Sequence, residues 1–245
     1  MMKAKNVVTW VIALGVLLFI FEPAHASTIF GLDFRVSGTA NPRGTAPWTT
    51  SKFENMTNTV ATLSTGTEVG KASNPGVKLT MSTSDLTGGE NVRKWYFNFD
   101  NPDVAVDDLK FVYDGGSTGP KAVNIRTDKD DIEAQGGGLF DIRFAFSENG
   151  DRFGRDEEVV YLITAQDGSH IDPSDFSSGS QHGSDDGYFS AAKIRAVRNS
   201  EGRVAFIADS AASDNGDGIV PIPGAVWLLG SGFVGLALIR NRFKN

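Results

Sequence analysis

"GLFDIRFAF", residues 138–146, alternates from its third position: Phe140, Ile142, Phe144 and Phe146 share one side, while Asp141, Arg143 and Ala145 share the other. A period of two belongs to a β-strand, whose successive side chains point to opposite faces, so this stretch predicts a strand with one face in a core. Nearby, "KWYFNF" at 94–99 sets Trp95, Phe97 and Phe99 against Lys94, Tyr96 and Asn98, and "VKLTMS" at 77–82 aligns Val77, Leu79 and Met81. Further strands are expected at 27–34, 57–64, 109–113, 122–126, 159–164, 189–197 and 203–208. Between them lie Asp114-Gly115-Gly116, Gly136-Gly137-Gly138, Glu148-Asn149-Gly150 and Asp167-Gly168, residues that tolerate the backbone angles of tight turns. Asp172-Pro173-Ser174-Asp175 predicts one short helical turn, with Asp172 as its N-cap and Pro173 in first position. About ten short strands joined by polar turns imply an all-β, antiparallel β-sandwich of jelly-roll-like form, packed as two sheets face to face.

The two ends of the chain carry a different pattern. Lys3 and Lys5 precede an apolar run at 7–21, and Ala24-His25-Ala26 leads into Ser27. A charged start, an apolar middle and a small-residue exit describe a secretory signal peptide, so residues 1–26 are expected to be removed, with Ala24, Ala26 and Ser27 marking the cleavage point. At the far end, residues 219–239 carry no charge. At 1.5 Å per residue such a helix reaches about 30 Å, the thickness of the hydrocarbon core. Arg240, Arg242 and Lys244 follow and would hold the last residues on the cytoplasmic side, leaving the domain outside. Pro221 and Pro223 keep the stretch before the helix extended, the form a protease or transpeptidase cleft accepts. The organisation expected is a signal peptide (1–26), a β-sandwich ectodomain (27–210) and an acidic, Gly-rich spacer (211–219). A tail (220–245) follows, with its proline motif at 220–223, its helix at about 224–239 and its basic end at 240–245.

Val220-Pro221-Ile222-Pro223, the apolar stretch containing Trp227-Leu228-Leu229-Gly230-Ser231-Gly232, and the short basic end together resemble the PEP-CTERM sorting signal in its VPxPA-type variant. Gly224 stands where that pattern usually has Ala, and the cations are spaced rather than consecutive. The resemblance implies recognition by an exosortase, a membrane transpeptidase-like enzyme of Gram-negative bacteria that make exopolysaccharide. It further implies passage through the Sec translocon and signal peptidase, transient anchoring in the inner membrane with the domain periplasmic, and delivery to the cell surface or matrix. Trp95-Tyr96-Phe97-Asn98-Phe99-Asp100, the 138–146 strand followed by Arg152-Phe153, and Ala191-Ala192-Lys193-Ile194 resemble the ectodomains that accompany such tails. That second resemblance implies a β-sandwich and carries no activity with it.

Charge and composition narrow the function classes. Of the 23 Lys and Arg residues, five lie in the two signals, and of the 30 Asp and Glu residues only Glu22 does, so the domain holds 18 cations against 29 anions. A net charge of -11 on the domain repels phosphate backbones, so no nucleic-acid partner is expected. Without a single Cys there is no disulfide and no thiolate ligand or nucleophile. Adjacent acids such as Asp107-Asp108, Asp130-Asp131, Glu157-Glu158 and Asp185-Asp186 are too numerous to single out a glycosidase pair and read as solvated surface. His170 and His182 sit in Gly/Ser-rich loops with no G-x-S-x-G elbow, and too few ligands accompany them for zinc.

The expectation is a non-enzymatic surface or matrix protein, structural or adhesive, associated with exopolysaccharide and without a cofactor. Two other classes stay in view. One is a carbohydrate-binding module with Trp48 as stacking ring, joined by Tyr96 or Tyr188, and assisted by Ca2+ at 214–218 or 128–131. The other is a secreted hydrolase built on one of the acid pairs.

Overall fold

The computed structural model describes residues 27–38, 40–56, 61–62, 68–69, 76–181, 187–197 and 203–209. The chain is all-β over these residues. Ten strands form one antiparallel sheet: β1 (Ser27–Gly38), β2 (Thr49–Asn55), β5 (Val77–Ser82), β6 (Asn91–Phe97), β7 (Leu109–Tyr113), β8 (Asn124–Ala134), β9 (Gly138–Ala145), β10 (Glu158–Ala165), β11 (Ser190–Arg195) and β12 (Val204–Asp209). Two short strands, β3 (Ala61–Thr62) and β4 (Glu68–Val69), pair only with each other. Across the large sheet the order is β7-β10-β5-β2-β1-β12-β11-β6-β9-β8.

Two separate sheets were expected; the strands join into one because β1 changes partner along its length. Its first half, Ser27 to Leu32, pairs with β2, and its second half, Leu32 to Gly38, pairs with β12. Register shifts between Leu32 and Phe34 and between Arg35 and Ser37 bend the strand there, as bulges do at sheet corners. The bend brings strands that are far apart in the sheet order into ring contact. Phe53 of β2 meets Phe97 of β6 edge-on at 5.1 Å, and Phe111 of β7 meets Phe144 of β9 at 5.5 Å. One apolar core therefore lies inside the curl, with Trp95, Phe97, Ile142, Phe144, Tyr161 and Ile207 among its buried members.

A one-turn 3-10 helix, Pro173–Phe176, lets Phe176 reach this core, stacked on Phe53 at 4.3 Å and beside Phe99 at 5.2 Å. Its start is the one the sequence predicts. Asp172 stands at the N-cap and Pro173 follows, and the Asp175 carboxylate accepts the Asp172 N–H at 2.8 Å.

The 138–146 strand is where the sequence pattern gives way. Thr127 pairs with Ile142 and Ile132 with Phe140, so one residue of β9, Asp141, faces four of β8, Asp128 to Asp131. This bulge interrupts the alternation. Ile142, Phe144 and Phe146 stay in the main core, but Phe140 joins a second cluster with Tyr96, Ile132, Ala134, Ala191 and Ala208, half-buried Val36 and Tyr188 packing against it. The hairpin tip beyond the bulge thus folds over the outer face of β6, β11 and β12. Gly136, at φ +83°, touches Val36 closely enough that an added Cβ would sit 3.0 Å from its Cγ1.

Candidate functional site

Asp141 is the organising group of the bulge. Fully buried, its carboxylate accepts the Phe99 N–H at 2.8 Å, the Asp130 N–H at 2.6 Å and the Lys129 ammonium at 3.1 Å. Lys129 also donates to the Phe99 carbonyl at 2.7 Å. Asp130 takes a left-handed φ of 51°, which a short polar side chain tolerates, and its carboxylate accepts from Gln181 at 3.0 Å. Asp128 and Asp131 both pair with Arg126, at 2.6 and 2.9 Å. The 128–131 segment, expected as a calcium candidate, instead spends its acids on Arg126 and Gln181 and supplies its own cation to Asp141. Among the described residues no group of three or more His, Asp or Glu is gathered where a metal ion would be held.

On the outer face of β9, β6, β11 and β12, the register sets two rows. In the first, Arg143 stands beside Tyr96, Tyr96 beside Ala191 and Ala191 beside Ala208, which pairs with Phe34 on β1. In the second, Lys94 stands opposite Lys193, and Lys193 opposite Phe206. The hairpin tip and the 188 region cover Tyr96, Ala191 and Ala208 of the first row and leave Arg143 partly exposed. Tyr96 is fully buried there, and burial pushes its phenol up to about 12. Phe34 remains 50% exposed at the margin of the cover and stacks against half-buried Tyr188 at 6.3 Å.

At the corner where β1 bends, Asp209 is buried, pairs in register with Leu32, and accepts the Phe189 and Ser190 N–H groups at 3.0 and 3.3 Å. Burial, aided by the Asp33 charge in the adjacent bulge, pushes its carboxyl up to about 7.

The remaining sequence candidates fall as follows. Trp48 is 6% exposed and part of the main core, so its ring is no surface platform; the segment before β2 docks it inward, the Trp48 main-chain N–H donating to the Leu32 carbonyl at 3.0 Å. Tyr96 is likewise internal, and Tyr188 is the aromatic of that group nearest the surface. His170 is exposed and bonded to Asp172 at 2.9 Å. Asp107 and Asp108 lie in an exposed 3-10 turn, Val106–Asp108. Glu157 accepts the Gly154 N–H at 2.7 Å. Ser27 opens β1, facing Glu54 of β2. Ala24, Ala26, Val220, Pro221, Ile222, Pro223, Arg240, Arg242 and Lys244 lie outside the described residues, as do 182–186, 214–218 and the expected membrane helix at 224–239. Among the described residues no helix is long and apolar enough to cross a membrane.

What sequence reasoning missed is the outer-face cation pair and the corner carboxylate, because each depends on which strands become neighbours. No family model, curated protein or solved structure matches this chain.

Proposed function

We propose that this chain is an exported, non-catalytic protein of the bacterial surface or extracellular matrix, sorted by an exosortase-type transpeptidase through its C-terminal tail. The observation that carries the reading is one of sequence: Val220-Pro221-Ile222-Pro223, an uncharged stretch of membrane length and a basic end occur in order, in a chain that also opens with a signal-peptide pattern. The fold is compatible with both signals. Strand pairing starts at Ser27, the residue after the expected cleavage point, and the last strand of the sheet ends at Asp209, ahead of the proline motif. Removal of either signal therefore leaves every strand of the sheet in place. The topology supports a jelly-roll-like sandwich, since β5 to β6, β6 to β7, β7 to β8 and β9 to β10 each connect the two arms of the sheet that flank β1.

The test is the intact mass of the cell-associated and released protein, from cells with and without the sorting enzyme. The expected mature chain starts at Ser27 and lacks the residues after the proline motif only when the enzyme is present. A mass that retains Asn245 in both strains would make the tail an ordinary anchor and end the sorting proposal. Pro221→Ala with Pro223→Ala should block processing while leaving export intact, read as accumulation of the longer form in the membrane fraction.

A further inference from the structure

The outer face carries a charge arrangement that folding alone does not favour. Lys94 and Lys193 are register partners on neighbouring strands β6 and β11, and like charges placed directly opposite destabilise a sheet. Arg143 lies on β9, the other neighbour of β6, two positions along from Ala145, the residue that faces Lys94. Neighbouring strands lie about 4.8 Å apart, so the three cations span about 10 Å across the sheet. Glu148, whose charge acts on Lys94, also pairs with Arg195 at 3.5 Å. Lys94 has its ammonium held below the usual lysine range by burial and by the charges of Arg143 and Lys193, with Glu148 opposing. The Nε of Arg143 has no hydrogen-bond partner among the described residues, and its terminal nitrogen reaches only the side-chain oxygen of Asn124, at 3.3 Å. Lys193 lies 5.2 Å above the Phe206 ring, which gives the strip an apolar floor.

This concentration is local. The domain around it carries an excess of acids, so the strip is a positive island on a negative molecule. Three partly exposed cations spread over three neighbouring strands suit an extended ligand with repeating negative charge better than a small anion needing enclosure. From the register pairing of Lys94 with Lys193 and the flanking Arg143, we propose that the outer face of β9, β6 and β11 binds a linear, carboxylate-bearing polysaccharide. The choice of a sugar polymer rests on the surface or matrix reading above; the anionic character of the ligand rests on the geometry alone.

Two properties should separate when the pair is neutralised. Lys94→Gln with Lys193→Gln removes the repulsion, so the thermal midpoint should hold or rise. Binding to polygalacturonate, followed by titration calorimetry at low salt, should weaken about tenfold. Lys110→Gln, on the exposed side of β7, should leave binding unchanged, and dextran should not bind the unaltered protein. Polygalacturonate binding that is absent in the unaltered protein, or that survives in the double variant, overturns the proposal. So does concentration-dependent self-association that the double variant abolishes while no polymer binds, which would assign the strip to contact between copies. Absence of polymer binding by the unaltered protein with tail processing intact refutes this inference and spares the sorting proposal; the opposite pattern does the reverse.

Discussion

Replacing Asp141 by Ala is expected to cost about 3 kcal/mol or more of folding stability, the largest loss for any polar substitution in the domain. The reason is accounting of donors. Its carboxylate is the acceptor for the buried Phe99 N–H and for the Asp130 N–H, and without it each amide is left unpaired at about 1–3 kcal/mol. Lys129→Ala removes the third partner at much smaller cost, under about 1 kcal/mol, because that side chain is 52% exposed and its charge is screened by water. Urea denaturation of the two variants side by side checks this, and equal losses would show that the ion pair rather than the amides holds the bulge. A local reporter accompanies the global one. With the bulge loosened, the hairpin tip no longer seals Tyr96, and its phenol should titrate back toward 10 from about 12, readable by ultraviolet absorbance in native buffer.

The same residue shows how far the sequence pattern could be read. Alternation at 138–146 gave the strand and its main-core members correctly, because period two is a local property of extended backbone. It placed Phe140 on the wrong face, since the three extra residues of β8 that shift the register lie in a different strand. β2 went unread for another reason: its inward positions are Thr49, Ser51 and Phe53, two of them polar, so no apolar stripe marks it. The Trp48 loop looked exposed because of its prolines, yet it feeds straight into that unread strand. The corner in β1 was beyond reach for a deeper reason. A hydrophobic pattern says which face of a strand is buried but not with which strand it pairs, and β1 pairs with two. Alternation put Lys94 on the face opposite Trp95, but only the β6–β11 register sets Lys193 opposite it.

That corner also sets when the sheet can close. β12 is an interior strand, held between β1 and β11, so the sheet cannot close until the chain has been delivered as far as Asp209. A long-range pairing of first and last strands is slow to form, and the sheet is expected to complete only once both of these strands are available to pair.

Asp209→Asn should remove a pH dependence that the unaltered protein shows between about pH 4 and pH 7. The carboxyl sits at 3.8 when exposed and at about 7 in the fold, chiefly because burial disfavours its charge and secondarily because Asp33 is near; the amides of Phe189, Ser190 and Asp209 itself pull the other way. Across that window the folded chain holds a proton that the unfolded chain has released, so stability falls as pH rises and levels off above about 7. A shift of this size corresponds to about 2–4 kcal/mol over the window. The Asn side chain keeps an oxygen for the Phe189 and Ser190 N–H groups and cannot ionise, and the Oδ2 it replaces has no partner among the described residues. Other carboxylates titrate alike in both proteins, so the difference between their unfolding free energies isolates this one group. That difference should move in favour of Asn by about 2–4 kcal/mol from pH 4 to pH 7.5, measured by denaturant titration at each pH. A difference that stays flat would mean that Asp209 ionises in the fold as readily as in water, and that the bend in β1 tolerates a full negative charge beside Asp33.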